Sequence, residues 1–335
     1  MHAKMGDIAR ECGVSLMTVS RALANRKDVS VQTRKKVLAA AKRLNYEVNS
    51  LATNFANGRS EVVGIATPFR SMIGSDYFGE IVQGFQQVFK DKMWDFSLFD
   101  ILSPSFDDGH KLEKLYRARR VDGLLVVAPG NMTFLSTLLQ LRIPLVVIGE
   151  SVASPNICSV ACDDAQGIDL LCSHLFSIGH RRIAFVGGPH SHSNAKQREK
   201  AYIDFCRNKQ LSPIVKAGDY TMESGRAAGL SLLKSAKRPT AIVAANDMMA
   251  FGVIETAHEL KISVPDKVSV AGFDDLPMAS VRFPRLTTVH QPVFEMAEYG
   301  ARQLERSLTS THEPLKDRIV LPVSLVIRES TKPIS

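Results

Sequence analysis

Apolar residues change their period along this chain, and the change divides it. In residues 4–25 they recur at helical spacing: Ile8, Ala9 and Cys12 form one face, and Val19, Ala22 and Leu23 form another. Gly13 lies between the two sets, where the lack of a Cβ permits a tight turn at positive φ. Ser15 is placed to cap the second helix by accepting a backbone amide near Thr18. Two short helices around a glycine turn predict a helix-turn-helix, whose second helix enters the DNA major groove; a plain helical hairpin has the same periodicity. Ser30 opens a third helix, expected from Val31 to about Asn45, with Val37, Leu38, Ala41 and Leu44 facing the first two. Residues 49–58 form a short amphipathic stretch, too short for a stable isolated helix and of the kind that folds on binding.

After Arg59 the pattern becomes that of short apolar strands alternating with helical stretches. Strand-like runs are expected at residues 62–67, 96–101, 124–128 and 145–149, with a helix at about 79–92. A second set covers 182–187, 240–245 and 268–272, and a late run covers 320–328. Such alternation predicts an α/β fold with parallel sheets covered by helices on both faces, repeated in two lobes.

Charge sharpens the division. Residues 1–60 carry 11 Lys and Arg against 4 Asp and Glu, and the remaining 275 residues carry 31 against 30. The excess positive charge is thus concentrated in the first sixth of the chain, which reads as a phosphate-binding surface. Arg34, Lys35, Lys36, Lys42 and Arg43 on the third helix are either a solvated face or phosphate contacts. No secretory signal precedes the first helix, no apolar run is long enough to span a bilayer, and the cysteines are odd in number. A cytoplasmic protein with reduced thiols and no membrane partner is expected. Cys158 and Cys162 have no second pair at zinc-site spacing, and His174, His180, His190 and His192 show no ligand motif, so no metal is expected.

Enzyme chemistry finds no support. A phosphate-binding glycine loop and a G-x-S-x-G elbow are both missing, and Asp274 and Asp275 would diverge at a strand end. No catalytic residue and no cofactor are expected.

Several motifs are specific. Gly-Val-Ser-x-x-Thr-Val-Ser-Arg-Ala-Leu at 13–23 is followed by Val29-Ser30-x-x-Thr33-Arg34, Ala39-Ala40-x-x-x-Leu44-x-Tyr46 and Asn49-x-x-Ala52. Downstream stand Gly179-His-Arg-Arg-Ile-Ala-Phe-Val-Gly-Gly188, Ala245-Asn-Asp247, Ser269-Val-Ala-Gly-Phe-Asp-Asp275, Leu286-Thr-Thr-Val-x-Gln291 and Leu321-Pro-Val-Ser-Leu-Val-x-Arg328. Over nearly its whole length the chain resembles the lactose-repressor (LacI/GalR) family. The resemblance implies a helix-turn-helix head at 1–48, a hinge helix and linker at 49–60, and a core at 61–335 like that of periplasmic sugar-binding proteins. In that core, one subdomain covers about 61–161 and 291–320 and the other about 162–290 and 321–330, with crossings near Cys162, His290 and Leu321.

The resemblance also implies a homodimer on double-stranded operator DNA, controlled by a small effector. DNA contacts are implied at Leu16, Met17, Thr18, Ser20, Arg21, Ser30, Thr33, Arg34, Asn49, Ala52 and Phe55. Leu16 and Met17 are apolar where several relatives carry hydrogen-bonding residues; such side chains sense a thymine methyl and no donor pattern. Phe55 stands where the family usually places a leucine wedge in the minor groove. Lys4 replaces the usual Thr or Ser at the start of the first helix, so the cap is lost or the lysine reaches a phosphate. The short C-terminal end after Glu329 carries no heptads and favours a dimer over a tetramer.

Effector contacts are implied at Tyr77, Phe78, His192, Asn194, Arg198, Tyr220, Asn246, Asp274 and Gln291. Aromatic faces with a guanidinium fork and a carboxylate suit a sugar, sugar acid or polyol. Phe78 reads equally as core, Arg198 and Asp274 also read as a structural ion pair, and Asp247 is expected to cap its helix. The function the resemblance implies is repression of carbohydrate-utilisation genes, with relief by an inducer expected. The alternatives are a nucleobase or other metabolite acting as corepressor, and a sugar-binding protein without operator control.

Overall fold

A computed structural model describes residues 3–23, 26, 28–46, 59–68, 74–92, 94–102, 110–130, 132–140, 143–152, 157–309 and 317–334. The chain separates into two units, Met1–Glu61 and Val62–Ser335.

The first unit holds helices α1 (Met5–Cys12), α2 (Leu16–Leu23) and α3 (Val31–Arg43). Gly13 ends α1 in the left-handed region at φ 64°. Ser15 Oγ accepts the Thr18 amide at 3.1 Å, and Ser30 Oγ accepts that of Thr33 at 3.1 Å, so both hydroxyls satisfy helix-start donors. Lys4 offers no side-chain acceptor; α1 is instead capped from within, its Lys4 N–H donating to the Asp7 carboxylate at 2.8 Å. Ile8, Cys12, Val19, Ala22, Val29, Val37, Ala40 and Ala41 form the core. Leu38, expected in that core, is 48% exposed. The buried stripe of α3 runs through 37, 40, 41 and 44, and Leu38 is turned about 100° from Val37.

The second unit is α/β. Its larger sheet is parallel, in the order β11-β5-β4-β3-β1-β2. These strands are β1 (Val62–Thr67), β2 (Asp95–Asp100), β3 (Gly123–Val127), β4 (Leu145–Ile148), β5 (Cys158–Cys162) and β11 (Arg318–Leu321). With it go α4 (Asp76–Phe89), α5 (His110–Arg117), α6 (Met132–Gln140) and α12 (Val293–Thr309). The second sheet is parallel in the order β7-β6-β8-β9, built from β6 (Ile183–Val186), β7 (Val215–Lys216), β8 (Ala241–Ala244) and β9 (Ser269–Ala271). Around it stand α7 (Asp164–Ser177), α8 (Ser193–Asn208), α9 (Met222–Leu233), α10 (Asp247–Glu259) and the short α11 (Pro277–Val281). A small antiparallel pair joins β10 (Thr288–His290) to β12 (Ser324–Val326).

The chain leaves the larger sheet after β5, returns through β10 into α12, and leaves it again after β11. The apolar run expected as one strand at 320–328 is therefore two, β11 and β12, in different sheets. Pro322, which has no N–H for a ladder, lies at the break. Cys158 and Cys162 both lie on β5, and all five cysteines are buried as free thiols. Burial pushes the Cys158 thiol up to about 12. Among the described residues no helix is long and apolar enough to cross a membrane, and no group of three His, Cys, Asp or Glu is arranged to hold a metal ion.

Helices α9 and α10 meet at two glycines. A Cβ on Gly252 would lie 2.1 Å from the Met222 carbonyl oxygen, and one on Gly225 would lie 2.2 Å from that of Met249. Backbone cannot yield as a side chain does, so Gly252→Ala is expected to destabilise this unit by about 1–3 kcal/mol, the usual cost of overpacking. Calorimetric melting checks this; an unchanged transition would show that the helices separate freely.

Candidate functional site

The first unit presents the start of α2 to solvent. Leu16 is 57% and Met17 62% exposed, while Val19 and Ala22 of the same helix are buried. The two apolar side chains are thus surplus to the core, as a groove-reading role requires. Thr18 is half-buried with its hydroxyl beside that of Ser15, and Ser20 is exposed. Arg21 is exposed and pairs with Asp28, Nη1 to Oδ2 at 3.2 Å. Ser30 and Thr33 bond each other through their hydroxyls at 2.9 Å at the start of α3. Asn49, Ala52 and Phe55 lie outside the described residues.

The basic face of α3 is only partly available to a phosphate. Arg34 Nη2 donates to the carbonyl of Arg26 at 2.5 Å, clamping the loop before α3. Lys36 Nζ donates to the Cys12 carbonyl at 3.0 Å, closing the end of α1, and Arg43 pairs with Glu11. Arg34, expected to contact DNA, is half-buried and already donates to this loop. Lys35 and Lys42 are exposed on the same helix.

The second unit holds a cavity of about 140 Å³ lined by Tyr77, His192, Asn194, Arg198, Tyr220, Asn246, Asp274 and Gln291, with Pro68, Ser75, Ala128, Pro189, Asp219, Met248 and Leu276 completing its wall. It opens at the carboxyl ends of strands from both sheets, where doubly wound folds bind ligands. Phe78 is the exception among the expected contacts. It is 8% exposed and packs in the core with Ile81 and Phe85. Successive helix positions differ by about 100°, so Tyr77 and Phe78 cannot share one face.

Arg198 organises the cavity from beneath. It is 3% exposed on α8; its Nε donates to Asp164 Oδ1 at 2.6 Å and its Nη1 to the Ala245 carbonyl at 2.5 Å. The guanidinium lies 3.6 Å from the centre of the Phe273 ring, and Asp274 Oδ1 is 3.8 Å from Nη1. Burial alone would favour loss of its proton, but Asp164 and the neighbouring anions outweigh this and keep Arg198 charged. Its tight partner is Asp164, which sequence reasoning missed; Asp274 is a looser neighbour, held instead by Gln291 Nε2 at 2.9 Å.

Burial pushes the Asp274 carboxyl up to about 7, an effect that Arg198 partly offsets and Asp164 reinforces. Asp247 does not cap α10. Asn246 does, accepting the Met249 amide at 2.9 Å, while Asp247 is fully buried and accepts from Leu276 N at 2.9 Å and Thr288 Oγ1 at 2.5 Å. Asp275 turns away from Asp274 to Arg328, at 2.6 Å.

A further carboxylate joins the two sides of the cleft. Glu150, just after β4, is 2% exposed. Its Oε1 faces His192 Nδ1 at 2.8 Å and accepts the Gly130 amide at 2.9 Å; its Oε2 accepts from Ser193 N and Oγ at the start of α8. Burial raises this carboxyl, but the hydrogen bond and charge of His192 bring it below its ordinary value. Nearby, Asn194 Nδ2 donates to the Gly149 carbonyl at 3.2 Å and its Oδ1 accepts the Tyr220 hydroxyl at 3.0 Å. The signal for Glu150 was its place after a strand-ending glycine, at the carboxyl edge of the sheet.

The walls are held in costly backbone conformations. Ala128, Tyr220 and Asp274 have φ of 43°, 70° and 125°, in the left-handed region that non-glycine residues rarely adopt. Asn246 Nδ2 donates to the Tyr220 carbonyl at 3.0 Å and supports one of them. Gly188 lies under the Tyr220 ring, where a Cβ would come within 2.4 Å of it. A larger cavity of about 560 Å³ opens elsewhere on the second sheet's side, lined by Arg226, Phe251, Glu255, Arg282 and Phe283 among others. Its arginines are already paired with Glu255 and Glu259, so it offers less uncommitted polar chemistry than the cleft.

Residues 4–49 match the model described as bacterial regulatory proteins, lacI family, and residues 172–331 match that of a periplasmic binding protein-like domain. The chain is 30% identical over 334 residues to the probable HTH-type transcriptional repressor ExuR of Bacillus subtilis (strain 168), covering 97% of each chain. Its fold is similar to that of the Lac repressor dimer bound to operator and the anti-inducer ONPF, at TM-score 0.86 and 27% identity, covering 99% of this chain and 100% of that one. A complex of the transcriptional regulator CelR with cellobiose is similar at TM-score 0.74 and 28% identity, covering 98% and 99%.

The raised Asp274 carboxyl has a thermodynamic consequence. Between its unfolded value near 3.9 and about 7, the folded state holds a proton that the unfolded state has released. Stability linked to this group is thus complete at low pH and falls as pH rises to about 7. Asp274→Asn should melt higher than the parent at pH 8, by at least about 1.4 kcal/mol, the worth of one pKa unit, and lose this advantage at pH 4. A gain independent of pH would show that Asp274 is not held protonated by burial.

Proposed function

We propose how this chain, which belongs to the lacI family of bacterial regulatory proteins, couples a small ligand to DNA. It is a sequence-specific DNA-binding transcriptional regulator, a repressor of the type that serves carbohydrate genes, and not an enzyme. In our reading it acts in the cytoplasm as a homodimer, each chain bringing one cationic head to half of a near-palindromic operator. The head's exposed Leu16, Met17 and Arg21 support this assignment: apolar contact reads thymine methyls, and the guanidinium reads guanine O6 and N7.

The effector we assign to the cleft is one polyhydroxylated ring, a sugar or sugar-like molecule. The observation that carries this is the convergence of Tyr77, Tyr220 and His192 with Arg198, Asp274, Asn194 and Gln291 around one small cavity. Rings suit the C–H face of a sugar, and the polar groups supply both donors and acceptors. A cavity of about 140 Å³ is below the usual range of roughly 300–1,000 Å³ for larger ligands, so it favours a single ring.

We assign the ligand the role of inducer. The two sides of the cleft bond directly through Glu150 to His192 and Ser193, and through Asn194 to Gly149. A ligand that bonds Asn194 and Tyr220 competes with these links, which is how we read it as loosening the lobe arrangement. Ligand changes DNA affinity only by binding the two lobe arrangements unequally.

Two expected outcomes test the reading. Arg21→Ala should cost roughly 1–3 kcal/mol on an operator selected from random DNA, with little change on random duplex. Equal losses on both would make Arg21 a phosphate contact only. For the cleft, Arg198→Ala is a poor probe, because it leaves the Asp164 carboxylate buried and unpaired at about 3–5 kcal/mol. Tyr220→Leu keeps that cluster intact. In calorimetric titration with the sugar that most raises the melting temperature in a panel, it should bind at least tenfold more weakly while retaining operator affinity. Parental affinity would remove Tyr220 from the site.

A further inference from the structure

Arg21 is not alone on the surface of the head. Asp28 sits 3.2 Å from its Nη1, and both side chains are about half exposed, at 51% and 54%. An isolated surface pair of this kind contributes little to stability. This one is built in. The Arg26 amide donates to the Arg21 carbonyl at 3.0 Å, tying the start of the loop to the end of α2. Arg34 Nη2 donates to the carbonyls of Arg26 and Val29, at 2.5 and 3.5 Å, on either side of Asp28. Val29 is buried, and Ser30 fixes the far end as the cap of α3. Arg34 is committed to this loop at a cost, since its Nε is buried without a hydrogen-bond partner among the described residues.

We propose that Asp28, held by the Arg34-clamped loop, is a positioning residue that sets Arg21 for one guanine and thereby raises discrimination between operator and random DNA. This rests on the assignment of Arg21 as a base reader. A guanidinium has five N–H donors in a planar fork. With Nη1 beside Asp28 and the side chain half exposed, the edge formed by Nε and Nη2 is the one left for the two acceptors of guanine, O6 and N7. An arginine on a long, flexible stem would otherwise be drawn to the nearest phosphate. The carboxylate opposes this in two ways: it restricts the rotamer, and its negative charge repels the phosphate that random DNA would present to Arg21. Specificity gains from such a repulsive element as much as from a new attraction.

The test uses the full chain, a duplex enriched from random DNA, and a random duplex of equal length. Asp28→Asn keeps the shape and removes the charge; Asp28→Ser is the second variant, and circular dichroism with melting confirms the fold of each. Both should bind random DNA as tightly as the parent or up to threefold tighter, while the operator-to-random affinity ratio falls at least fivefold. Replacing guanines one at a time by 7-deazaguanine, which lacks the N7 acceptor, identifies the base that Arg21 reads as the one whose penalty vanishes in Arg21→Ala. That penalty should shrink in Asp28→Asn, and Asp28→Asn should have no effect on the ratio in the Arg21→Ala background. If Arg21→Ala lowers the ratio but Asp28→Asn does not, or if the Asp28 effect persists without Arg21, the positioning role is overturned while the base-reading role stands. If Arg21→Ala leaves the ratio unchanged, both fall.

Discussion

A single buried guanidinium holds the ligand cleft together. Arg198 reaches from α8 to Asp164 at the start of α7, to the carbonyl of Ala245 at the end of β8, and to the ring of Phe273 after β9. These are the segments by which the chain enters the second sheet and lines the cavity. Taking a charge out of water costs several kcal/mol unless geometry and hydrogen bonds offset it, and here both do. Asp247 and Asp274 add further buried carboxyl groups to the same region, and both are pushed up by burial. The site thus contains more acid groups than cations. Burial favours the protonated form of Asp247 and Asp274, and hydrogen bonds from Gln291, Thr288 and Leu276 hold their oxygens.

The head solves the opposite problem. It must present positive charge and exposed apolar side chains while folding from about forty residues, so its basic residues divide their duties. Arg34, Lys36 and Arg43 tie loop, helix end and helix face together. Leu16, Met17 and Arg21 remain at the surface, where they add nothing to the core. A run of cations on one helix therefore also carries contacts that hold the head together.

Much of this architecture was legible from residue periodicity. The helix-turn-helix, its caps at Ser15 and Ser30, and most core strands follow from local rules of spacing and side-chain chemistry. Eight of the nine expected cleft residues line one cavity, and only Phe78 does not. What escaped depends on distance along the chain. Glu150 meets His192 across forty-two positions, and Asp164 meets Arg198 across thirty-four, so no window of sequence shows either pair. The same limit explains Asp247. Its position at a helix start suggests a cap, but packing turns it inward to Thr288 and gives the cap to Asn246. Leu38 failed for a local reason, since an apolar residue next to a stripe reads as part of it; the run at 320–328 divides at Pro322, which has no N–H for a ladder.

The account depends on coupling between cleft and operator, and coupling is reciprocal: if ligand weakens operator binding by some factor, operator weakens ligand binding by the same factor. The most direct measurement is calorimetric titration of the full chain with the panel compound that most raises its melting temperature, in the absence and in the saturating presence of the selected operator. An inducer acting through the lobe arrangement predicts a ligand affinity that is lower with operator bound, by the factor seen in the DNA titration. An affinity that operator leaves unchanged would contradict the account, because the cleft and the DNA head would then be independent.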